Sequence, residues 1–227
     1  MKKQIVTLDI NGDYAPELKK LTMPTIEHYA HKIGADFNVI KEEKFKLDPK
    51  SGHGGEKFQL YELSNGYDWT IFLDADALVH PNTPDWTEMV TKDVVLFHGL
   101  DNRFVRFKST DYSRRSKCII GACTWCTMHS DWCRDLWHPP TMSWEESLAH
   151  ISPIWDEVRT GLCPSEHLID DFTVSENIAR FGLKCQTIVD LYKLCPGEYF
   201  FHLYNVDLMT KIVETKKVMT KWGVGIS

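Results

Sequence analysis

Short apolar runs alternate with amphipathic stretches along the first half of the chain, and polar breaks separate them. Gln4 to Leu8 reads as a first strand. From Pro16 onward apolar residues recur near helical spacing (Leu18, Leu21, Ile26, Tyr29, Ala30, Ile33), and Gly34 follows as a C-cap. That pattern predicts a helix over 16–33. Phe37 to Ile40 predicts a second strand, and the polar stretch 41–55, with Pro49, Gly52, Gly54 and Gly55, predicts a loop. A helix over 56–64 leads into the apolar run that begins at Trp69; Pro81 and Pro84 force a turn, and Val94 to Phe97 is again strand-like. Strands that alternate with crossover helices mark an α/β sheet.

The second half is less regular. Residues 101–117 are rich in Arg, Lys, Ser and Asp without a period, as expected of a surface loop or lid. Residues 118–128 predict a strand, and Ser130 with Asp131 can cap a helix that runs to Trp137. Residues 139–164 are irregular and carry tryptophans. A helix over 165–181 stops at Gly182, strands are expected at 185–189 and 199–203, and a lysine-bearing helix over 207–222 ends the pattern. The chain shows no internal repeat and no linker, so a single domain over 1–227 is expected.

The most informative chemistry lies where the run Trp69-Thr-Ile-Phe-Leu ends in Asp74-Ala75-Asp76. In an extended strand alternate side chains share a face, so both carboxylates are expected to leave the strand together. They would do so at its C-terminal end, where open α/β sheets keep ligands. Two hard oxygen ligands there suit a divalent cation that keeps positions open for substrate phosphates.

Composition narrows the partners. Hydrophobic residues make up 43%, which excludes a disordered chain, and the net charge is −6. No broad polyanion-binding surface is expected, so nucleic acid is not the expected partner. The seven cysteines are an odd number. Cys123-x-x-Cys126 has no second close pair to complete a zinc site, so buried reduced thiols in a cytoplasmic setting are expected. The apolar run near Met1 is too short for a signal peptide or a membrane span.

With these motifs placed, the chain resembles nucleotide-sugar-dependent glycosyltransferases of the GT-A fold, in particular the galactosyl/mannosyltransferase type. The residues that carry the resemblance are Lys57 on a helix, Tyr67-Asp68-Trp69, and Leu73-Asp74-Ala75-Asp76-Ala77-Leu78. Further on come Ile120-Gly121-Ala122-Cys123 with His129-Ser130-Asp131-Trp132, and Tyr199-Phe200-Phe201-His202. The resemblance implies a central, mostly parallel sheet flanked by helices. It implies a nucleotide-binding half over 1–100, a half for acceptor and donor sugar over 101–205, and a C-terminal helix over 206–227. Asp76 and His202 would bind Mn²⁺ or Mg²⁺, with Asp74 on the metal or the ribose. A histidine ligand favours Mn²⁺, because Mg²⁺ prefers oxygen alone.

By position, Thr7, Leu8 and Asp9 at the end of the first strand would meet the nucleotide, and Lys57 would face phosphates or the strand carboxylates. The donor would be a nucleoside diphosphate sugar, UDP favoured by family frequency, and the acceptor a glycan hydroxyl. Such a domain could also belong to a larger glycan-assembly protein. Asp171, with Asp170 beside it, stands where inverting relatives place a general base; the like charge nearby is expected to raise one of the two pKa values. In retaining relatives that region lines the donor sugar instead. Trp125, Trp137, Trp144 and Trp155 are candidates for an acceptor platform or for core. Lys211, Lys216, Lys217 and Lys221 are expected on a solvated basic face rather than against a membrane or a partner domain.

Two other functions stay open. A haloacid-dehalogenase-type phosphatase also follows an apolar strand with Asp-x-Asp, but places Thr or Val where Leu78 stands. A carbohydrate- or nucleotide-binding module without turnover would keep the fold alone.

Overall fold

The computed structural model describes residues 1–12, 14–46, 53–98, 123–147, 149, 169–192, 194–203 and 206–225. In chain order the strands are β1 (Lys3–Leu8), β2 (Ala35–Ile40), β3 (Trp69–Leu73), β4 (Leu78–Val79), β5 (Val94–Phe97), β6 (Cys126–Ser130), β7 (Lys184–Thr187) and β8 (Phe200–Phe201). The helices are α1 (Pro16–Ile33), α2 (Leu60–Leu63), α3 (Ile169–Phe181), α4 (Ile188–Leu191) and α5 (Leu208–Trp222). A six-stranded sheet runs in the order β2-β1-β3-β6-β5-β7, and β4 with β8 forms a second, two-stranded sheet. In the large sheet only the β3–β6 and β5–β6 pairings are antiparallel; the rest are parallel.

The apolar run of β3 is buried at every position, as a strand covered on both faces should be. Register assigns its side chains. Val6, Phe72, Thr127 and Phe97 lie abreast across four strands. On that face Val6, Phe72 and Phe97 join Phe58, Trp137, Val174 and Ile178 in one core cluster. The alternate row, Ile5, Ile71, Met128 and Leu96, packs with Ile26, Tyr29, Ala30 and Ile33 of α1. Full burial of each such side chain contributes about 1.5–3 kcal/mol. The helix α1 has the bounds that its spacing predicts, and Gly34 caps it at φ 66°, donating its N–H to the carbonyls of Ala30 and His31.

Several expected elements are shorter or tighter. Instead of one helix over 56–64 there is a 3₁₀ segment, Gly54–Gln59, followed by the short α2. The buried Glu56 carboxylate is committed to the preceding loop, accepting from the backbone N–H groups of Lys44, Phe45 and Lys46 at 2.7–3.2 Å. The segment Asp131–Trp137 is also 3₁₀, with the Ser130 side chain capping it as expected. Strand β7 ends at Thr187, two residues early, because the Thr187 hydroxyl accepts from Asp190 N–H and starts α4.

The loop expected over 101–117, the start of the strand expected at 118, the first residues of the helix expected at 165, and Trp155 lie outside the described residues. Among the described residues no helix is long and apolar enough to cross a membrane, and Cys126 and Cys133, both buried, and the half-buried Cys195 are free thiols.

Candidate active site

Strand β3 stops at Leu73, and the two aspartates do not alternate on a strand as expected. They occupy a turn closed by the Ala77 N–H donating to the Asp74 carbonyl at 2.9 Å. The helix α1 holds this turn. The Thr22 hydroxyl donates to the Ala75 carbonyl at 2.6 Å, and the Thr25 hydroxyl accepts from Val79 N–H at 3.0 Å. The chain then pairs through β4 with β8, Leu78 opposite Phe201 and Val79 opposite Phe200. Continuing that antiparallel register by one residue brings His202 beside Ala77, between the two carboxylates.

The ligand atoms of Asp74, Asp76 and His202 lie within 4.8 Å of one another. His202 Nε2 is 3.1 Å from Asp76 Oδ1 and 3.9 Å from Asp74 Oδ2. The histidine is held from behind: its ring stacks on Trp125 at 4.8 Å between centroids and 16° between planes. Trp125 owes its place to register, since Asp74 N–H donates to the Trp125 carbonyl at 2.8 Å, one step beyond the Leu73–Cys126 pair. Behind Trp125 lies His98, 4.5 Å between centroids. Burial and the neighbouring His202 push His98 down to about 4, so it is a neutral packing partner at physiological pH.

Charge at the site is balanced from two sides. Lys57 Nζ lies 2.9 Å from Asp170 Oδ2, 3.2 Å from Asp74 Oδ1 and 3.2 Å from Thr124 Oγ1. Burial would lower the Lys57 pKa, but the carboxylates of Asp170, Asp74 and Asp171 outweigh it and hold the ammonium charged. On the other side Asp76 Oδ2 accepts from Tyr14 at 2.8 Å and Lys211 at 2.6 Å. Burial opposes the ionised form of Asp76, yet the hydrogen bond and charge of His202, with the charge of Lys211, keep it well below the usual carboxylate range. Burial and the Asp76 charge push Tyr14 up to about 12, so its hydroxyl stays a donor.

No protein-family model matches the sequence, and no curated protein does. Among solved structures, a glycosyltransferase involved in glycosylation of the major capsid of PBCV-1 is 10% identical, with a TM-score of 0.54. The match covers 96% of this chain and 100% of that one. The fold is the GT-A glycosyltransferase fold. The galactosyltransferase LgtC, solved in complex with donor and acceptor sugar analogs, is 12% identical with a TM-score of 0.42, over 75% of this chain and 70% of that one. At these identities the likeness concerns the fold alone.

Within that GT-A frame most of the residues singled out in the sequence come together. Asp74, Asp76, His202, Lys57 and Asp170 form one connected set through the contacts above, and Asp171 Oδ1 joins it by accepting from Thr124 N–H at 3.0 Å. Thr7 and Leu8 end β1, the parallel neighbour of β3, and Asp9 follows it. Thr7 is fully buried, with its hydroxyl among the side-chain atoms that have no hydrogen-bond partner. Asp9 is paired with Lys19.

One expectation is narrowed and one corrected. Of the acidic pair, Asp170 is not the one that is raised. Burial does act upward, but Lys57 and the Thr124 hydroxyl, which donates at 2.8 Å, hold it below the ordinary carboxylate range. And Lys211 is not on a solvated face, although Lys216, Lys217 and Lys221 are exposed. Trp137 is core, packed on Phe58 and Phe72. Reading the sequence missed Tyr14 and Thr124 altogether, and gave Trp125 no part beside His202.

Proposed function

We propose that the protein is a metal-dependent glycosyltransferase that moves a hexose or deoxyhexose from a nucleoside diphosphate sugar, UDP favoured, to a hydroxyl of a glycan acceptor. The convergence of Asp74, Asp76 and His202 at the end of the central strand carries this reading, on a fold shared with a solved glycosyltransferase. Two carboxylates and an imidazole suit a borderline divalent cation such as Mn²⁺. The donor set fits in a second respect, because each ligand already has an outer partner that orients it: Lys57 on Asp74, Tyr14 on Asp76, Trp125 on His202. When bound, the cation would supply Lewis-acid neutralisation of charge on the leaving nucleoside diphosphate.

The chain's own residues then divide the remaining work. Lys57 is a fixed point charge within reach of Asp74, adding positive potential where the phosphates would lie. Asp170 serves as its counter-ion; a carboxylate held below its ordinary range is a poor proton acceptor. Asp171 is therefore the better candidate to take the acceptor proton if transfer inverts the anomeric centre. If transfer retains it, the departing diphosphate can take that proton and Asp171 lines the donor sugar. Thr7, Leu8 and Asp9 would bound the nucleoside.

A thermal-shift panel of uridine and guanosine diphosphates and their sugars, with and without Mn²⁺, tests the reading. One nucleoside should stabilise the fold in the presence of Mn²⁺ and lose most of that effect in chelator; a ligand at a hundred times its Kd adds about 2.7 kcal/mol. If no nucleotide shifts the transition in either condition, the reading is wrong.

A further inference from the structure

Lys211 is the fourth residue of α5, in a first turn where the helix dipole already concentrates positive charge and an ammonium is disfavoured. No acidic side chain lies within that first turn. Its Nζ nevertheless turns inward, 2.6 Å from Asp76 Oδ2 and 3.1 Å from the Tyr14 hydroxyl, with the side chain 13% exposed. Lys217 and Lys221 of the same helix stay at the surface and pair with Glu214 and Glu198. Asp76 therefore accounts for where Lys211 goes. The aspartate divides its oxygens: Oδ1 faces His202, and Oδ2 belongs to Lys211 and Tyr14. Asp207 caps the start of α5, accepting from the Thr210 N–H at 3.0 Å and from its hydroxyl at 2.6 Å, but Leu208 and Met209 in that turn are 43% and 66% exposed. Such a turn opens locally at low cost.

Resting on the metal reading above, we propose that Lys211 is a resident counter-charge that sets the cation affinity of Asp74, Asp76 and His202 and couples it to the anchoring of α5. A positive charge on a ligand carboxylate offsets part of the field that attracts a divalent cation. Binding of the cation therefore weakens the hold of Asp76 on Lys211, and by linkage the two effects are equal in size. Cation binding loosens the first turn of α5, and undocking of that turn tightens the metal site.

The test is Mn²⁺ titration by electron paramagnetic resonance on wild type, Lys211→Met, Lys211→Arg and Asp76→Asn, with hydrogen exchange of residues 208–215 in wild type. Lys211→Met should bind Mn²⁺ at least about tenfold tighter, because a unit charge so close to a divalent ion is worth more than that in a half-buried site. Lys211→Arg should stay near wild type, and Mn²⁺ should speed exchange over 208–215. Equal or weaker binding by Lys211→Met, with Asp76→Asn still impaired, overturns this proposal and leaves the metal reading standing. Greater protection of 208–215 in Mn²⁺ also overturns it, independently of how any variant folds. If no protein, wild type included, binds Mn²⁺, both fall.

Discussion

Replacing Lys57 with methionine should remove a buried ammonium, which lies 5.3 Å from the centre of the Phe72 ring, while keeping an unbranched apolar stem. The Asp170 side chain, 10% exposed, would be stranded without its counter-ion; Asp74, 25% exposed, is better screened by water and adds little. Removing one partner of a buried ion pair costs about 3–5 kcal/mol. Two donors remain on Asp170, the Thr124 hydroxyl and the Asp171 N–H at 2.9 Å, which argues for the lower end, about 3 kcal/mol. In a chain of this length that lowers Tm by roughly 6–12 °C. The double variant Lys57→Met/Asp170→Asn should recover most of the loss, since the stranded charge is gone.

The pH dependence has a definite sign. In wild type the folded-state pKa of Asp170 is depressed by Lys57. Its contribution is therefore complete above the unfolded carboxylate value of about 3.9 and is lost as pH falls through the folded value. Without Lys57, burial is opposed only by the Thr124 hydroxyl and the Asp171 N–H, so the folded-state pKa rises, Asp170 protonates earlier and the variant is relieved in acid. The Tm gap between wild type and Lys57→Met should be widest near pH 7 and should close as pH falls toward the ordinary carboxylate range. Differential scanning calorimetry between pH 4 and 8 reads both quantities. A gap under about 2 °C at neutral pH, or one that does not narrow in acid, would refute the buried-pair argument.

Other variants probe the supports of the site. Thr22→Val keeps the shape of a fully buried side chain but takes the donor from the Ala75 carbonyl; a loss of about 1–2 kcal/mol in urea unfolding, with Thr22→Ser close to wild type, is expected. Trp125→Leu removes the ring on which His202 stacks. Its Mn²⁺ affinity should fall about tenfold or more in equilibrium dialysis, as for other outer partners of metal ligands. Glu56→Gln weakens the charged acceptor of three backbone N–H groups, and a loss of about 1.5–3 kcal/mol is expected at neutral pH. Burial pushes the Glu56 carboxyl upward, but the N–H groups of Lys44, Lys46 and Phe45 win and lower it. That loss should therefore shrink as pH falls below the unfolded value of about 4.3, followed by urea melts at pH 7 and pH 3.5.

What could be read in the sequence was local. The helix α1 announces itself by spacing and by a glycine that adopts φ 66° just past its end, and β3 by an unbroken apolar run. The 3₁₀ segments could not be read that way, because their apolar positions satisfy a helical period equally well. What separates them is a competing bond, as at Glu56, whose carboxylate is spent on Lys44, Phe45 and Lys46 rather than on a helix. The pair Asp74 and Asp76 was found for a partly mistaken reason. Alternation on a strand would bring them to one face, whereas a turn closed on Asp74, and gripped by Thr22 and Thr25 from α1, is what brings them together.

The residues whose part at the site does not show in the sequence share a physical cause. Tyr14 and Lys211 lie 62 and 135 positions from Asp76, and nothing periodic near either one encodes that meeting. It depends on α5 docking against α1, which is decided by packing over the whole fold. Lys211 does leave one local trace, a lysine in the first turn of a helix, where its charge opposes the dipole. Taken alone such a lysine is unremarkable on a solvated helix. Its meaning appears only once a buried carboxylate is seen to face it. Trp125 follows the same logic, because a tryptophan in an expected strand reads as core or acceptor platform until the β3–β6 register sets it beside Asp74 and the β4–β8 register brings His202 onto its ring. Two pairings made by distant parts of the chain thus convert an apolar residue into the support of a candidate metal ligand. For that reason the candidate ligands are visible in sequence and the residues that surround them are not.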